Sequence, residues 1–260
     1  MFSTILFFVL YSVSAQAIPP RNNPSIDDQF SELEEEVVLR FFDAVNGQPL
    51  SQATVTFEGQ TVMTDNMGAA RFDQPDEDLI LDYKTTVSLS KNGYISVEIP
   101  IVFMAGSLWH NRFAVSPNLQ SDKMRIVLDW SKKPKDLDAH LIKSNMNNQE
   151  VYHISFHDMK RHEDKARLDI DDKNGEGPET ITIIDLDSSA SYRYFVHDYS
   201  NKNSKRSKEL SESRAHVSVY DSRGLVRSFS VPYDESGIIW DVFEIRQGEI
   251  VPINQLRTEP

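Results

Sequence analysis

From Val37 onward the chain is written in short apolar–polar alternations, each closed by a turn of glycine, asparagine or aspartate. Val37–Phe42, Ala53–Phe57, Gln60–Thr64, Thr85–Ser90 and Tyr94–Ile101 alternate in this way. Asn46-Gly47, Asp65-Asn-Met-Gly68 and Lys91-Asn-Gly93 punctuate them. A period of two puts successive side chains on opposite faces, which is the mark of a half-buried strand, and glycine or asparagine supplies the positive φ of tight turns. Repeated at near-regular spacing, the pattern predicts a β-sandwich over residues 37–116.

A second series follows. Lys123–Trp130, Asp136–Ile142, Glu150–Phe156, Thr180–Ile184, Tyr192–Tyr199 and Ile238–Ile245 read as strands, and Ala215–Phe229 reads as a hairpin across Ser222–Gly224. The fold class expected is all-β, two β-sandwich domains in tandem, the second over 123–254. The polar, proline-containing break Ser116–Asp122 predicts a hinge between them. The Ser/Lys/Glu-rich stretch 202–213 predicts a mobile hairpin tip, and 255–260 a loose tail. Trp109-His110 suits a core edge or an exposed contact. No helix longer than about two turns is expected.

The first 17 residues carry no acidic or basic side chain and form an apolar run ending Ser14-Ala-Gln-Ala17. At roughly a dozen residues the run is shorter than the ~20 needed to span a bilayer. It reads as a signal peptide (1–17) cleaved before Ile18, although the basic n-region is missing. An acidic leader (18–36) would then precede the first sandwich, and the protein would be exported, periplasmic or extracellular, with no membrane insertion after cleavage. The sequence has no cysteine, so disulfides, thiolate metal sites and a Cys nucleophile are all excluded. An exported chain without disulfides must be held by its core or by bound ions. The net charge of −13 argues against nucleic acid as a partner and suits solubility, repulsion from anionic surfaces or capture of divalent cations.

Within 37–116, Asp-x-x-Asn-Gly-x-Pro-Leu-x-x-Ala-x-Val from Asp43, Thr-Asp-x-x-Gly-x-Ala-x-Phe from Thr64 and Lys91-Asn-Gly-Tyr94 resemble the carboxypeptidase regulatory-like, transthyretin-like domain. That resemblance implies a sandwich serving as scaffold or spacer. Within 123–254, Leu128-Asp-Trp, Pro134-Lys-Asp-Leu-Asp-Ala-His-Leu141, the acidic loop Leu168–Ile181, Tyr192–Ser200 and Trp240-Asp-Val-Phe-Glu-Ile245 resemble the YfaP-type domain, which implies a fold and little chemistry. Asp-Leu-Asp after a strand and a Gly/Asp/Glu loop before another are also similar to the calcium-binding tellurite-resistance domains.

The residues that offer chemistry are acidic: Asp129, Asp136, Asp138, Asp169, Asp171, Asp172, Glu176 and Glu179. Residues two apart on a strand share a face, so Asp136 and Asp138 should project together, with His140 next in line, and Asp169 with Asp171. Carboxylates gathered this way repel one another unless a cation lies between them. Ca²⁺, bound by six to eight oxygens, would resolve the repulsion, with Gly175 and Gly177 freeing backbone carbonyls to turn inward. The expected metal ligands are Asp136, Asp138, Asp169, Asp171, Asp172 and Glu179. The competing reading is carboxylates that cap loops or pair with Lys132, Lys133 and Lys173.

His140, His153, His157, His197 and His216 raise zinc as a further alternative, but no His-Glu-x-x-His or third-ligand context marks a site; hydrogen bonding around the acids suits His140 and His197 better. Gly-x-Ser-x-Gly and phosphate-binding loops are absent, and no catalytic residue is assigned. The function expected is therefore a non-catalytic interaction or structural protein of the envelope, presenting sandwich surfaces to a protein partner. A metal-dependent hydrolase using the Asp/His cluster and a carbohydrate-binding module built on the Tyr-rich strand 192–199 are the alternatives from other classes.

Overall fold

The computed structural model describes residues 36–73, 83–104, 107–121, 123–160, 164–173 and 175–259. The expected signal segment, its cleavage point and the leader as far as residue 35 lie outside the described residues. The fold is almost wholly β, as the periodicity predicts. In chain order the first half forms β1 (Glu36–Asp43), β2 (Thr54–Phe57), β3 (Gln60–Met63), β4 (Ala69–Asp73), β5 (Tyr83–Ser90), β6 (Val97–Met104), β7 (Ser107–Leu108) and β8 (Arg112–Val115). The second half forms β9 (Met124–Asp129), β10 (Leu137–Ser144), β11 (Glu150–Ile154), β12 (Arg167–Ile170), β13 (Glu179–Ile183) and β14 (Ser191–Asp198). After the single described helical turn, α1 (Glu209–Glu212), come β15 (His216–Asp221), β16 (Gly224–Ser230), β17 (Ile239–Arg246) and β18 (Glu249–Arg257).

Sheets β4-β1-β8 and β3-β2-β5-β6-β7 enclose one core, and sheets β11-β10-β14-β17-β18 and β12-β13-β9-β15-β16 enclose the other. The turn at Asn46-Gly47 forms, with Gly47 at φ +68°. It does not join paired strands, however: β1 pairs with β4 and β8, and β2 with β3 and β5. The chain therefore crosses between sheets there, as a sandwich requires.

The two sandwiches share a wall. On β9, Met124, Ile126 and Leu128 enter the second core, while Val127, one step out of phase, packs in the first. On β15, Val217 and Val219 face one core and Tyr220 the other. Alternation along a strand buried on both faces thus serves two cores at once. Polar groups lock the junction: Thr180 Oγ1 donates to Ala44 O at 2.5 Å, Arg125 Nη1 to Ser116 Oγ at 2.6 Å, and Tyr220 O–H to Ala114 O at 3.1 Å.

The break at 116–122 is therefore not the hinge that its composition suggests. Ser116 is fully buried, Ile95 N–H donates to its carbonyl at 3.0 Å, and Asn118 N–H donates to Gly93 O at 3.0 Å. The stretch 202–213 is also corrected: residues 202–206 are exposed, but Leu210, Ser211 and Ser213 of the helical turn are buried. Residues 255–257 belong to β18, so the first half of the expected tail is strand. Limited proteolysis with a broad-specificity protease should therefore cut 202–206 well before 116–121. Early cleavage in 116–121 would contradict the docked junction.

Candidate metal centre

One end of the second sandwich gathers acids from two sheets and histidines from one. Along β10, Leu137, Ala139 and Leu141 enter the core, so Asp138 and His140 leave by the other face. On neighbouring β14, His197 lies opposite Asp138 and Phe195 opposite His140. The His140 ring stacks on Phe195 at 4.6 Å with an interplanar angle of 2°, and its Nδ1 meets His153 Nε2 at 2.9 Å.

The other half comes from the loop after β12, which carries Asp171, and from Glu179, the first residue of β13. Strand β11 pairs with β10 only from Leu141 onward, and Glu179 Oε2 accepts the Ala139 N–H at 2.7 Å. Its Oε1 accepts the Asp172 N–H at 3.3 Å. Asp138, Asp171 and Glu179 offer ligand oxygens that all lie within 4.8 Å of one another; Asp138, His140 and His197 offer a second set within the same distance. Asp138 belongs to both.

Electrostatics leave the cluster unbalanced. Burial, with Asp136 and Asp171 alongside, pushes Asp138 up to about 7. Burial raises Asp136, aided by Asp171. Glu179, 1% exposed, is driven well above its ordinary range by burial, against the pull of the Ala139 N–H and reinforced by Asp138. Burial lowers His140 to about 3 and lowers His197, which favours the neutral imidazole in each. Asp138, 2% exposed, has an Oδ2 without a hydrogen-bond partner, as do Asp136 Oδ1, Asp171 Oδ1 and His140 Nε2. Buried acceptors are ordinarily satisfied, so the orphans gathered here call for a partner such as ordered water or an ion. The donor set fits a divalent cation: two oxygens on one calcium at 2.3–2.6 Å lie at most about 5 Å apart.

Several expected ligands sit elsewhere. The register of β12 against β13 shifts between Leu168 and Ile170, which breaks the parity that would align Asp169 with Asp171. Asp169 instead accepts from Arg167 and, at 2.5 Å, from Thr182 Oγ1. Asp172 reaches the site through its backbone N–H and belongs to neither ligand set. Asp129 contacts His110 Nε2 at 2.5 Å, and Glu176 faces Arg112 at 3.4 Å, both across the junction between sandwiches. Of the lysines weighed as partners, Lys173 reaches Asp171 at 3.0 Å and is itself exposed. Gly175 and Gly177 serve a close approach: a Cβ would stand 2.6 Å from Lys132 O at one and 2.8 Å from Trp130 at the other. Trp109 lies at an edge, its ring 5.0 Å from Tyr233 with Arg214 over it at 4.9 Å. Tyr192 and Tyr194 are core residues.

Reading residues alone places His140 in line with Asp136 and Asp138 but puts neither His140 nor His197 among the expected ligands. The available signal is parity, since Asp138 and His140 are two apart on one strand; the opposite position of His197 needs the β10–β14 register.

No protein-family profile and no curated protein matches this chain. Among solved structures, a crystal structure titled as that of the unknown-function protein SAV2460 matches with a TM-score of 0.39 and 16% identity. The match covers 54% of this chain and 92% of the other. A likeness at that level carries no argument about activity.

Proposed function

We propose that this is an exported, non-catalytic binding or structural protein whose second sandwich is secured by one calcium ion held by Asp138, Asp171 and Glu179, with Asp136 beside them. The observation that carries the reading is Asp138: almost wholly inaccessible, one carboxylate oxygen unpartnered, and two more carboxylates within ligand distance. Isolated buried charges neutralise or find a counter-charge. Calcium fits an oxygen-rich set better than magnesium, which demands a tight octahedral shell. Export supports the same ion, because extracellular calcium sites work at millimolar concentrations and a chain with no cysteine needs another brace.

The outer sandwich surfaces would meet a protein partner, as the envelope role implies. Titration of EGTA-stripped protein with calcium in a calorimeter is expected to show one site per chain. Asp138→Asn should abolish the binding heat. Absence of heat in the parent protein would leave these acids as loop caps and defeat the proposal.

A further inference from the structure

We propose a second cation subsite beside the first, formed by Asp138, His140 and His197, which takes a borderline transition metal of the zinc type. It rests on the calcium reading only in sharing Asp138. The two ligand sets differ in chemistry: one is all carboxylate, the other pairs two imidazoles with a carboxylate. Imidazole suits zinc and its neighbours, whereas calcium takes oxygen.

Three observations point to a ligand here. His140 is only 9% exposed, yet its Nε2 has no partner. Its other nitrogen meets His153 Nε2 at 2.9 Å. In the tautomer whose Nδ1–H donates to His153, the lone pair on Nε2 is left for a metal, and metal-bound histidines are ordinarily held by such a bond on the opposite nitrogen. Phe195, stacked flat on the ring at 4.6 Å, fixes its plane.

Charge supports two ions rather than one. Asp136, Asp138, Asp171 and Glu179 bring four negative charges when ionised, Lys173 offsets one of them at Asp171, and one divalent ion still leaves the cluster net negative. A second ion, with Asp138 bridging, offsets what remains; carboxylate-bridged pairs stand about 3.5–4 Å apart. The zinc-type ion would bind at about 2.0–2.1 Å and so draw its ligand atoms to roughly 3.3–3.5 Å apart, closing the set from its present spread. Three protein ligands leave a fourth position to water.

The full chain, stripped with chelator and then saturated with calcium, is titrated with zinc. Bound metals are counted by mass spectrometry after gel filtration, and cobalt absorption reports nitrogen ligation. The expected result is one zinc and one calcium per chain. His140→Ala and His197→Ala should each weaken zinc at least tenfold while keeping the calcium-dependent rise in melting temperature, which also certifies that they fold. His153→Ala should weaken zinc about 10–100-fold, as loss of an orienting partner does. Zinc binding unchanged in both ligand variants, zinc displacing calcium one for one, or no zinc uptake would each overturn the second subsite. Zinc uptake lost in the two ligand variants but without any calcium binding would uphold it and defeat the calcium reading instead.

Discussion

In millimolar calcium the protein is expected to melt on the order of 5–10 °C higher than in EGTA. A ligand that binds only the folded state stabilises it by RT ln(1 + [L]/Kd), about 2.7 kcal/mol at a hundredfold excess over Kd. A sandwich of this size converts that into a shift of several degrees. The ion acts by relieving a cost visible without it. The Asp138 carboxyl is raised from 3.8 to about 7 by burial and by its acidic neighbours. Below its unfolded pKa the group is protonated in both states. As pH rises toward 7 the unfolded chain releases this proton first, so the folded state loses stability across that window. Each tenfold change in proton affinity is worth about 1.4 kcal/mol, which puts the full cost on the order of 4 kcal/mol. In EGTA, melts between pH 5 and 8 should therefore show a contribution from this site that falls with pH. Calcium should flatten it, and Asp138→Asn should remove both the slope and the calcium shift. Superimposable curves with and without calcium at pH 8 would contradict the site.

Asp164→Ala is expected to destabilise the second sandwich by about 3–5 kcal/mol, the usual consequence of stranding a buried charge. Asp164, 4% exposed, accepts from Lys143 Nζ at 2.8 Å, Tyr152 O–H at 2.8 Å and Tyr192 O–H at 2.7 Å. It ties β10, β11 and β14 to the segment before β12. Lys143 keeps one further anion, Asp187 at 3.1 Å, which is partly exposed and replaces little of what is lost. Removing one tyrosine hydroxyl, by Tyr192→Phe, should cost less, about 1–3 kcal/mol: the remaining donors still satisfy the carboxylate, while the Asp187 N–H that Tyr192 accepts at 3.0 Å loses that bond. Chemical denaturation measures each loss. The pair Lys143→Met with Asp164→Ala should lose less than the sum of the two single changes, since neither charge is then left alone. Additive losses would mean that the two groups do not act as a unit.

The sequence by itself determined the strand content and the turns, because the two-residue period and the Gly/Asn punctuation act locally. It also brought out Asp138 with His140, since two-residue parity on β10 is a local property. It did not reveal Asp169's departure, because a bulge changes which face a residue takes and is set by pairing with β13. It did not reveal the docked linker, since Ser116 reads as a polar break until Arg125 from the next strand covers it. Asp164 stands beside Glu163 in the basic, polar stretch Lys160–Arg167 and reads as solvated; only the approach of Lys143, Tyr152 and Tyr192 makes it a buried anchor. His197 joins the candidate metal centre through the β10–β14 register and not through any spacing along the chain. Periodicity is written residue by residue, whereas these contacts depend on sequence separations that only packing closes. Local propensity therefore settled what each segment is, and the tertiary structure decided what each polar side chain meets.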